Sequence, residues 1–382
     1  MFKRFLQDRP LNFVWRLVLW FTIGNGLALL ISYLACYTDP SWLWPVAFFG
    51  LAYPVFLLLN LLLLLTWVLR RSKWLFIPLI VFLVGFNHFR HFYQITLWSG
   101  PKNENNTQVK IVSWNVRLFD LYNYKDHNTI RNSIFKVLKR EDADVYCFQE
   151  FFYSGVDGFF ETRDTMVTFL RARNVHEGYT HVQRMDQHFG LAIFSVYPIL
   201  NRGKVKFPGD NHNGAIYADL NTGKDTIRIY NTHLSSIRFQ RGDYEYIGDT
   251  ANSKRWLHPW EKPKNAQQQI LSRLKGAFIR RSEQSKILLE HIRQSPHKVI
   301  LAGDFNDSPI SWCYRQFAGL LKDAFVESGN GIGNTYIGKF PSFRIDYIFH
   351  SKELHSYNYS TLPEKLSDHH GISAVIEISD SE

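Results

Sequence analysis

The sequence predicts a chain of two unlike parts: an N-terminal group of apolar helices, then an α+β sandwich in which helices face two sheets. Three observations predict this organisation. Nearly all the long apolar runs of the 382 residues lie in the first hundred. From Val109 onward, short β-branched runs alternate with only a few amphipathic helical stretches, which favours mixed sheets over a strict βαβ repeat. Polar residues recur where these predicted strands end, and functional clefts tend to form at such positions.

The first two apolar runs are long enough to cross a lipid bilayer. They cover residues 17–37 and 42–69. A helix that rises ~1.5 Å per residue needs about 20 residues to cross a hydrocarbon core of ~30 Å. A cleaved signal peptide does not fit, because the first run is long and lacks an evident small-residue cleavage site. We therefore predict two membrane-spanning helices in this region.

A third apolar run, residues 74–98, is interrupted by polar side chains. Its uniform part ends at Phe86, and the next five positions include Asn, Arg and two His. We predict that this run also spans the bilayer, with its polar end near the headgroups and Trp98 as an interfacial anchor. An interfacial or re-entrant helix is the alternative. Residues 99–108 have no apolar periodicity and are predicted to form a linker.

Basic residues predict the orientation of these spans. Lys and Arg occupy positions 3, 4, 9 and 16 before the first run and positions 70, 71 and 73 before the third, whereas the loop at 38–41 carries only Asp39. Cytoplasmic loops carry an excess of Lys and Arg, so the N-terminus and the 70–73 loop are predicted to be cytoplasmic. Three crossings, which we favour, make a multi-pass protein whose C-terminal domain is extracytoplasmic. Two crossings would leave that domain inside.

The C-terminal part, residues 109–382, has the alternating pattern of a mixed α+β domain. Its predicted helices cover residues 127–140 and 264–295. Its predicted strands cover residues 109–116, 143–150, 190–195, 215–220, 226–233, 298–304, 344–350 and 372–378.

Eight polar residues lie at or near the ends of these strands and together suit the hydrolysis of a phosphate ester. Such a reaction needs a cation for the phosphoryl oxygens, a base for the attacking water and stabilisation of the developing charge. Hard oxygen ligands suit Mg²⁺, and no cluster of soft ligands favours zinc or copper. The three cysteines are too few and too scattered for a disulfide framework or a zinc site. The eight residues are Asn115, Glu150, His233, Asp304, Asn306, Asp346, Asp368 and His369.

Each of these residues has a chemical role that its side chain can perform. Asn115, Glu150 and Asp368 are candidate metal ligands, together with Asp304. His369 can act as the base while Asp346 orients its ring. His233 and Asn306 can donate hydrogen bonds to phosphate oxygens. Asp304 can orient water or protonate the leaving oxygen. Taken singly, each residue could be an ordinary turn or capping residue, but all of them occur in one chain and at strand ends.

Six short motifs occur in an order that resembles the endonuclease/exonuclease/phosphatase superfamily. The resemblance covers roughly residues 109–380 and leaves the apolar segments out. The middle strand, at 189–195, is also similar. The motifs are SWNVR (113–117), CFQE (147–150), NTHL (231–234), GDFN (303–306), RIDYI (344–348) and SDH (367–369).

The resemblance implies a four-layered α/β/β/α sandwich of the DNase I type and Mg²⁺- or Mn²⁺-dependent cleavage of phosphoesters. It implies that Asn115 and Glu150 bind the metal and that Asp346 and His369 form a catalytic pair. It places His233 and Asn306 at the phosphate, Asp304 at the water or leaving group, and Asp368 beside the metal or at a second metal position. The abasic-site endonuclease branch generally carries Tyr in place of His233, so the chain is more similar to the DNase I-like, sphingomyelinase-like and phosphatase-like branches.

The substrate stays open between nucleic acid and phospholipid. The net charge is +10, and residues 237–281 carry ten Lys or Arg against four acidic residues, with Tyr244, Tyr246, Trp256 and Trp260 among them. This segment could grip a nucleic-acid backbone, lie on anionic headgroups or be a solvated insertion. The principal prediction is an endonuclease-like phosphodiesterase. The alternatives are a sphingomyelin or phospholipid phosphodiesterase, a phosphoinositide phosphatase, or an inactive binding module on the same fold.

Overall fold

The structure, a computed structural model, describes residues 10–96, 100–101, 103, 105–122, 127–156, 160–183, 186–237, 266–338 and 343–378. The chain divides into two compact units. Unit 1 consists of the residues up to Phe92 together with Ser308–Arg315, and unit 2 consists of Tyr93–Asp307 together with the residues from Gln316 onward.

Unit 1 is helical. One helix is long and apolar enough to cross a bilayer, Phe13–Leu34, whose start is capped by the Asn12 side chain, which accepts a hydrogen bond from the Trp15 amide at 3.1 Å. A second pair of helices passes the same criterion only when taken together, and it is bent by 58°. The helices are α1 (Phe13–Leu34), α2 (Pro40–Leu43), α3 (Pro45–Leu51), α4 (Tyr53–Leu69), α5 (Phe76–Val84) and α6 (Phe86–Arg90).

Two predictions for the apolar segments are corrected. The predicted second span, 42–69, is broken at Trp44 and at Ala52. Helices begin at Pro45 and at Tyr53, and the prolines in their first turns, Pro45 and Pro54, cannot donate a backbone hydrogen bond to a preceding turn. The predicted third span is helical only to Arg90, with a break at Gly85, and Tyr93–Gln94 instead form a short strand. Three spans are therefore not supported. Trp98 lies outside the described residues.

The interior of unit 1 is mainly hydrophobic, with Leu29, Tyr33 and Val81 in its core, and a few buried polar side chains link the helices. The Trp67 Nε1 donates to Thr22 Oγ1 at 2.9 Å, the Asn25 amide donates to Phe56 O at 3.2 Å, and the Asn60 amide donates to the Pro78 carbonyl at 2.9 Å. These side chains satisfy backbone and hydroxyl groups between helices, a mode of packing that is common where the surroundings are as apolar as the interior.

Unit 2 contains two six-stranded mixed sheets and a two-stranded ribbon. The first sheet has the order β10-β12-β9-β8-β7-β6, the second has the order β13-β14-β2-β3-β5-β4, and β1 pairs with β11. The strands are β1 (Tyr93–Gln94), β2 (Thr107–Asn115), β3 (Val145–Ser154), β4 (Asn174–Gln183), β5 (Gln187–Ser195), β6 (Ile199–Val205), β7 (Gly214–Asn221), β8 (Thr226–His233), β9 (Lys298–Asp304), β10 (Lys322–Asp323), β11 (Gly331–Ile332), β12 (Asp346–His350), β13 (His355–Thr361) and β14 (Ile372–Ile378).

The two sheets pack face to face through their β-branched residues, and helices cover their outer faces. Ile111, Ile229 and Ile300 belong to the core between the sheets, whereas Trp114 and Leu138 belong to a second core under the helix His127–Glu141. This confirms the predicted four-layered sandwich. The helices outside unit 1's N-terminal group are α7 (His127–Glu141), α8 (Thr162–Phe169), α9 (Ala266–Arg293), α10 (Trp312–Leu320) and α11 (Ala324–Ser328).

A buried amide pair joins the two sheets. The Gln149 Nε2 on β3 donates to Asn231 Oδ1 on β8 at 2.6 Å, and the Asn231 amide donates to the carbonyls of Phe148 and Ala192 at 2.8 and 2.9 Å. Buried polar groups of this kind are costly unless they are paired, so the pair favours one register of the two sheets. The ends of β3 and β8 are thereby held opposite each other.

Glu327 on α11 is a half-buried acid, with 26% of its side chain exposed, that stabilises the sandwich in a pH-dependent way. Its carboxylate accepts from the Ser356 amide and the His355 ring at 3.0 Å each, and it lies 2.9 Å from His350 Nε2. Burial alone raises the pKa of Glu327, but the His350 and His355 rings outweigh burial, and the pKa falls from 4.5 to about 2. The lowered pKa means that folding stabilises the ionised form, whose contribution is complete above pH 4.5 and is lost as the pH falls toward 2.

We expect Glu327→Gln to lower the free energy of unfolding by up to about 3 kcal/mol at pH 7. The difference from the unchanged protein should shrink between pH 4.5 and 2, because the carboxylate is then protonated in both states. Denaturant unfolding at several pH values measures this. A difference that stays the same down to pH 2 would contradict the assignment, and Glu353→Gln, at an exposed position, is the matched control.

Candidate active site

The predicted polar residues come together because the strands that carry them have these residues at the same end of the two sheets. Within the first sheet, His233 is in register with Asp304 across parallel β8 and β9, and Asp346 is in register with Asp304 across antiparallel β9 and β12. From the second sheet, the Asn115 Nδ2 at the end of β2 donates to Asp304 Oδ2 at 2.9 Å. The site is therefore built across both sheets.

Unusual backbone conformations aim two of these side chains. Glu150 has a φ of +48°, and the register of β3 against β5 shifts between Phe148 and Phe151. This bulge turns the Glu150 side chain out of the regular alternation of the strand. Gly303 has a φ of +149°, and a Cβ there would lie 2.0 Å from the carbonyl oxygen of Thr232. Only glycine permits this close approach of β8 and β9 beside Asp304.

Asp304 is the centre of the cluster and is almost completely buried. Its Oδ2 lies 3.5 Å from His233 Nε2 and 3.7 Å from His369 Nε2. The Asn115 Nδ2 that donates to Asp304 also lies 3.4 Å from Glu150 Oε1, so one amide nitrogen is within reach of both carboxylates. Burial raises the pKa of Asp304, with a further contribution from Asp346, and the two imidazoles and Asn115 oppose this rise.

Asp346 and His369 form a buried pair. The His369 Nδ1 lies 2.9 Å from Asp346 Oδ2, so its Nε2 faces Asp304. The Trp114 Nε1 donates to the His369 carbonyl at 3.0 Å and holds its backbone. Burial lowers the pKa of His369, but the charges of Asp346 and Asp304 outweigh burial and raise the pKa to about 10. A cation bound beside these carboxylates would oppose that rise.

Two predicted residues lie at the margin of the cluster. The Asn306 amide group donates to the Leu234 carbonyl at 3.1 Å, and the Asn306 backbone N–H donates to Asp304 Oδ1 at 2.8 Å. Asn306, at a φ of +51°, thus holds the loop that carries Asp304. The Asp368 carboxylate lies 3.8 Å from Arg117 Nε. The other six predicted residues come together directly.

The donor set fits a hard divalent cation. Asp304, Asp346 and His369 offer ligand atoms that lie within 4.8 Å of one another. The Nδ1 of His369 is already engaged with Asp346, and Mg²⁺ prefers oxygen, so the carboxylates of Asp304 and Glu150 are the better set. Asn115 could join them only through its Oδ1, which accepts from the Arg117 amide at 3.1 Å in this structure. In the described part of the chain, the buried Nε2 of His233 has no hydrogen-bond partner. A buried polar atom of this kind suits a phosphate oxygen as its partner.

Sequence reasoning missed Thr335, which positions the Asp346–His369 pair. The Thr335 side chain is completely buried, and its Oγ1 accepts from the backbone amides of Ile345 and Asp346 at 3.1 Å each. Its backbone carbonyl accepts from the His370 amide at 2.7 Å, and the neighbouring Tyr336 ring lies 5.2 Å from the His369 ring. Nothing in the local pattern distinguishes Thr335 from a turn threonine.

We expect Thr335→Val, which keeps the volume and removes the acceptor, to lower kcat by about tenfold, because two buried amides lose their partner at a cost of roughly 1–3 kcal/mol. KM should change little, since Thr335 does not face the cleft that would hold substrate. Thr335→Ser keeps the hydroxyl and should retain most of the activity. Equal kcat values for the Val and Ser variants would contradict the positioning role.

The basic segment 237–281, whose alternatives were a nucleic-acid grip, a contact with anionic headgroups and a solvated insertion, is only partly described. Residues 238–265 lie outside the described residues. Arg281, counted in that segment, is almost completely buried on α9, where its Nη1 donates to the Ser235 carbonyl at 3.1 Å and its Nε lies 3.2 Å from Asp307 Oδ2. Arg281 therefore holds the loop after His233 instead of contacting a polyanion.

Comparison with known proteins identifies two families that match parts of this chain. A model of the endonuclease/exonuclease/phosphatase family matches residues 112–369, and a domain family of unknown function matches residues 15–92. None of the curated proteins compared with the chain matches it.

Solved structures agree with the family match at the level of the fold. An endonuclease/exonuclease/phosphatase family protein from Bacteroides thetaiotaomicron has a TM-score of 0.52 at 15% identity, covering 72% of this chain and 97% of that one. The endonuclease/exonuclease/phosphatase from Beutenbergia cavernae DSM 12333 has a TM-score of 0.50 at 16% identity, covering 71% and 72%. TDP2 from Caenorhabditis elegans has a TM-score of 0.49 at 16% identity, covering 71% and 75%. The chain belongs to the endonuclease/exonuclease/phosphatase family.

Proposed function

We propose that the protein is a metal-dependent phosphoester hydrolase, principally an endonuclease-like phosphodiesterase. The observation that carries the proposal is the Asp346–His369 pair, whose free Nε2 faces Asp304 at 3.7 Å beside the Asn115–Glu150 group. Metal-assisted attack by water requires a general base and oxygen ligands for the metal, and a buried carboxylate–imidazole pair next to hard oxygen ligands provides both.

Each residue has a role in this proposal. Glu150, Asn115 and Asp304 hold Mg²⁺ or Mn²⁺, and Asp368 lies at the edge of that group. The metal supplies charge for the phosphoryl oxygens. His369 takes the proton of the attacking water while Asp346 keeps its ring oriented. His233 donates to a phosphate oxygen, and Asp304, which is ionised as a metal ligand, orients the attacking water.

We also propose that unit 1 anchors the protein in a membrane. Its outward residues are large and apolar: the exposed fractions of Phe13, Trp20 and Leu69 are 74%, 70% and 75%, whereas Asn25 and Asn60 are only 6% and 1% exposed. An apolar exterior with the few polar side chains buried and paired inside is the organisation expected in lipid, and in water so large an apolar surface would promote aggregation. Helix α1 gives one crossing, and the bent pair of helices α3 and α4 gives a second crossing if the two helices together form one span.

The test uses the full-length protein in detergent, with Mg²⁺ and with EDTA, on supercoiled plasmid and on vesicles that contain sphingomyelin and phosphoinositides. We expect plasmid nicking that requires the metal. The membrane anchor favours a second candidate, a phospholipid or sphingomyelin phosphodiesterase, which would release headgroups and leave the plasmid intact. No metal-dependent product on either substrate would favour the inactive binding module and would contradict the proposal.

A further inference from the structure

One end of unit 1 carries basic side chains beside tryptophan rings. The start of α1 and the end of α4 meet there, and the rings of Trp15 on α1 and Trp67 on α4 lie 5.6 Å apart. The loop that follows α4 belongs to the same end, which the distribution of Lys and Arg predicts to be cytoplasmic. The charged residues of this basic end are Arg16, Arg70, Arg71 and Lys73.

Two of these cations lie over aromatic faces. The Arg70 Cζ lies 4.0 Å from the centre of the Trp15 ring, and the Lys73 Nζ lies 5.9 Å from the centre of the Trp74 ring. A cation–π contact orients a cation but does not neutralise its charge. Tryptophan is also enriched at the boundary between hydrocarbon and lipid headgroups. The basic end therefore holds positive charge beside rings that suit that boundary.

Arg71 occupies a backbone position that glycine usually fills. Helix α4 ends with the Ser72 N–H donating to the Trp67 carbonyl at 3.1 Å and the Arg71 N–H donating to the Val68 carbonyl at 2.9 Å. This Schellman-type ending places Arg71 in the left-handed region, at a φ of +56°. A side chain with a Cβ is disfavoured there, and such strain persists where the side chain has a function. The strain thus points to a function for the exposed Arg71 side chain.

The charge balance of unit 1 favours an anionic partner for this end. Among the described residues of unit 1, Asp39 is the one acidic residue, and it follows the opposite end of α1. The nine residues before Pro10 lie outside the described ranges, but their sequence carries three Lys or Arg against one Asp and so adds positive charge. Anionic phospholipids are enriched in the cytoplasmic leaflet, and basic residues next to membrane helices bind their headgroups.

We infer that the basic end of unit 1 binds the headgroup of an anionic phospholipid. The inference goes beyond the proposed hydrolysis and rests on the proposed membrane anchoring. Arg70 and Arg71 donate to the headgroup phosphate in charge-assisted hydrogen bonds, and Arg16 and Lys73 add positive charge. The exposed apolar side chains of the same helices contact the acyl chains, which a free phosphate does not have.

Direct lipid binding tests this inference without relying on turnover. The full-length protein, in a nonionic detergent with EDTA to prevent metal-dependent hydrolysis, is titrated separately with dioleoyl phosphatidylglycerol and dioleoyl phosphatidylcholine, and native mass spectrometry counts the bound lipids. The acyl chains are identical, so a difference in affinity reports on the headgroup. We expect the first phosphatidylglycerol to bind about tenfold more tightly than phosphatidylcholine.

Arg71→Gly should lower this preference by about fivefold, because one cation is lost from the headgroup site. The same substitution should leave the midpoint of thermal unfolding unchanged or raise it, because glycine adopts the left-handed conformation without strain. A loss of lipid preference in a protein that is no less stable separates lipid binding from a structural role. An unchanged preference in Arg71→Gly would contradict the role of this side chain.

Arg70→Gln and Arg315→Gln form a matched pair. Arg315 also belongs to unit 1, and its Cζ also lies 4.0 Å from the centre of an aromatic ring, that of Tyr37, just past the other end of α1. Arg70→Gln should lower the preference for phosphatidylglycerol, whereas Arg315→Gln should not. Equal affinity of the unchanged protein for the two lipids, or an equal loss in both variants, would overturn the inference. The proposed anchoring fails separately, if the protein does not float with vesicles of phosphatidylcholine alone.

Discussion

Replacing His369 by Ala is expected to lower kcat by a factor of about 10²–10⁴, the range for removal of a general base. The proton of the attacking water would lose its acceptor, since the Nε2 of His369 is the basic atom that faces Asp304, 3.7 Å away. KM should change much less, because the metal ligands and His233 still hold the phosphate. Steady-state kinetics on a metal-dependent substrate measure both constants.

His370 provides a matched control on the same loop. Its ring nitrogen Nδ1 lies 3.2 Å from the Glu364 carbonyl and has no assigned part in the reaction. His370→Ala should therefore keep kcat within a few-fold of the unchanged protein. Full activity of His369→Ala, or an equal loss in both variants, would refute the assignment of His369 as the base.

Replacing Glu150 by Gln is expected to lower activity at limiting Mg²⁺ by at least about 10²-fold, because the metal loses a charged oxygen ligand. Gln has nearly the same shape, so the strand and its bulge should survive. A higher Mg²⁺ concentration should restore part of the activity. Titration of the rate with Mg²⁺ in both proteins measures the shift of the half-saturating concentration.

Glu353→Gln removes an exposed carboxylate elsewhere on unit 2 and should not move the Mg²⁺ titration. An unchanged titration in Glu150→Gln as well would mean that Glu150 is not a ligand. The Asp304–Asp346–His369 group would then be the better candidate for the metal, because its ligand atoms lie within 4.8 Å of one another.

Much of the sandwich could be predicted because its central strands carry local signals. The predicted strands 226–233, 298–304 and 372–378 match β8, β9 and β14 residue for residue. The strands β4, β6 and β13 were missed, since they lie toward the edges of the sheets and carry mixed polar sequences such as HSYNYST. Edge strands bury only part of their side chains, so their sequences do not need the β-branched runs that mark central strands.

The apolar N-terminal segments show that composition alone does not predict where helices begin and end. Their hydrophobic character was plain, but Pro54 and Gly85 break the helices at positions that a hydropathy count does not register. The end of the third segment was also mispredicted, because Tyr93–Gln94 pair with Gly331–Ile332, far away in the chain. Long-range pairing of this kind overrides the local preference of a short apolar stretch.

The sequence by itself determined the family, the central strands and the identity of the candidate site residues, because those depend on residue type and order along the chain. Only the tertiary structure decided the geometry: the bulge that turns Glu150, the central place of Asp304, the buried hydroxyl of Thr335 under Asp346, and the burial of Arg281. Each of these depends on contacts between residues that are distant in sequence. Packing and hydrogen bonding across two sheets produce those contacts, and no local pattern encodes them.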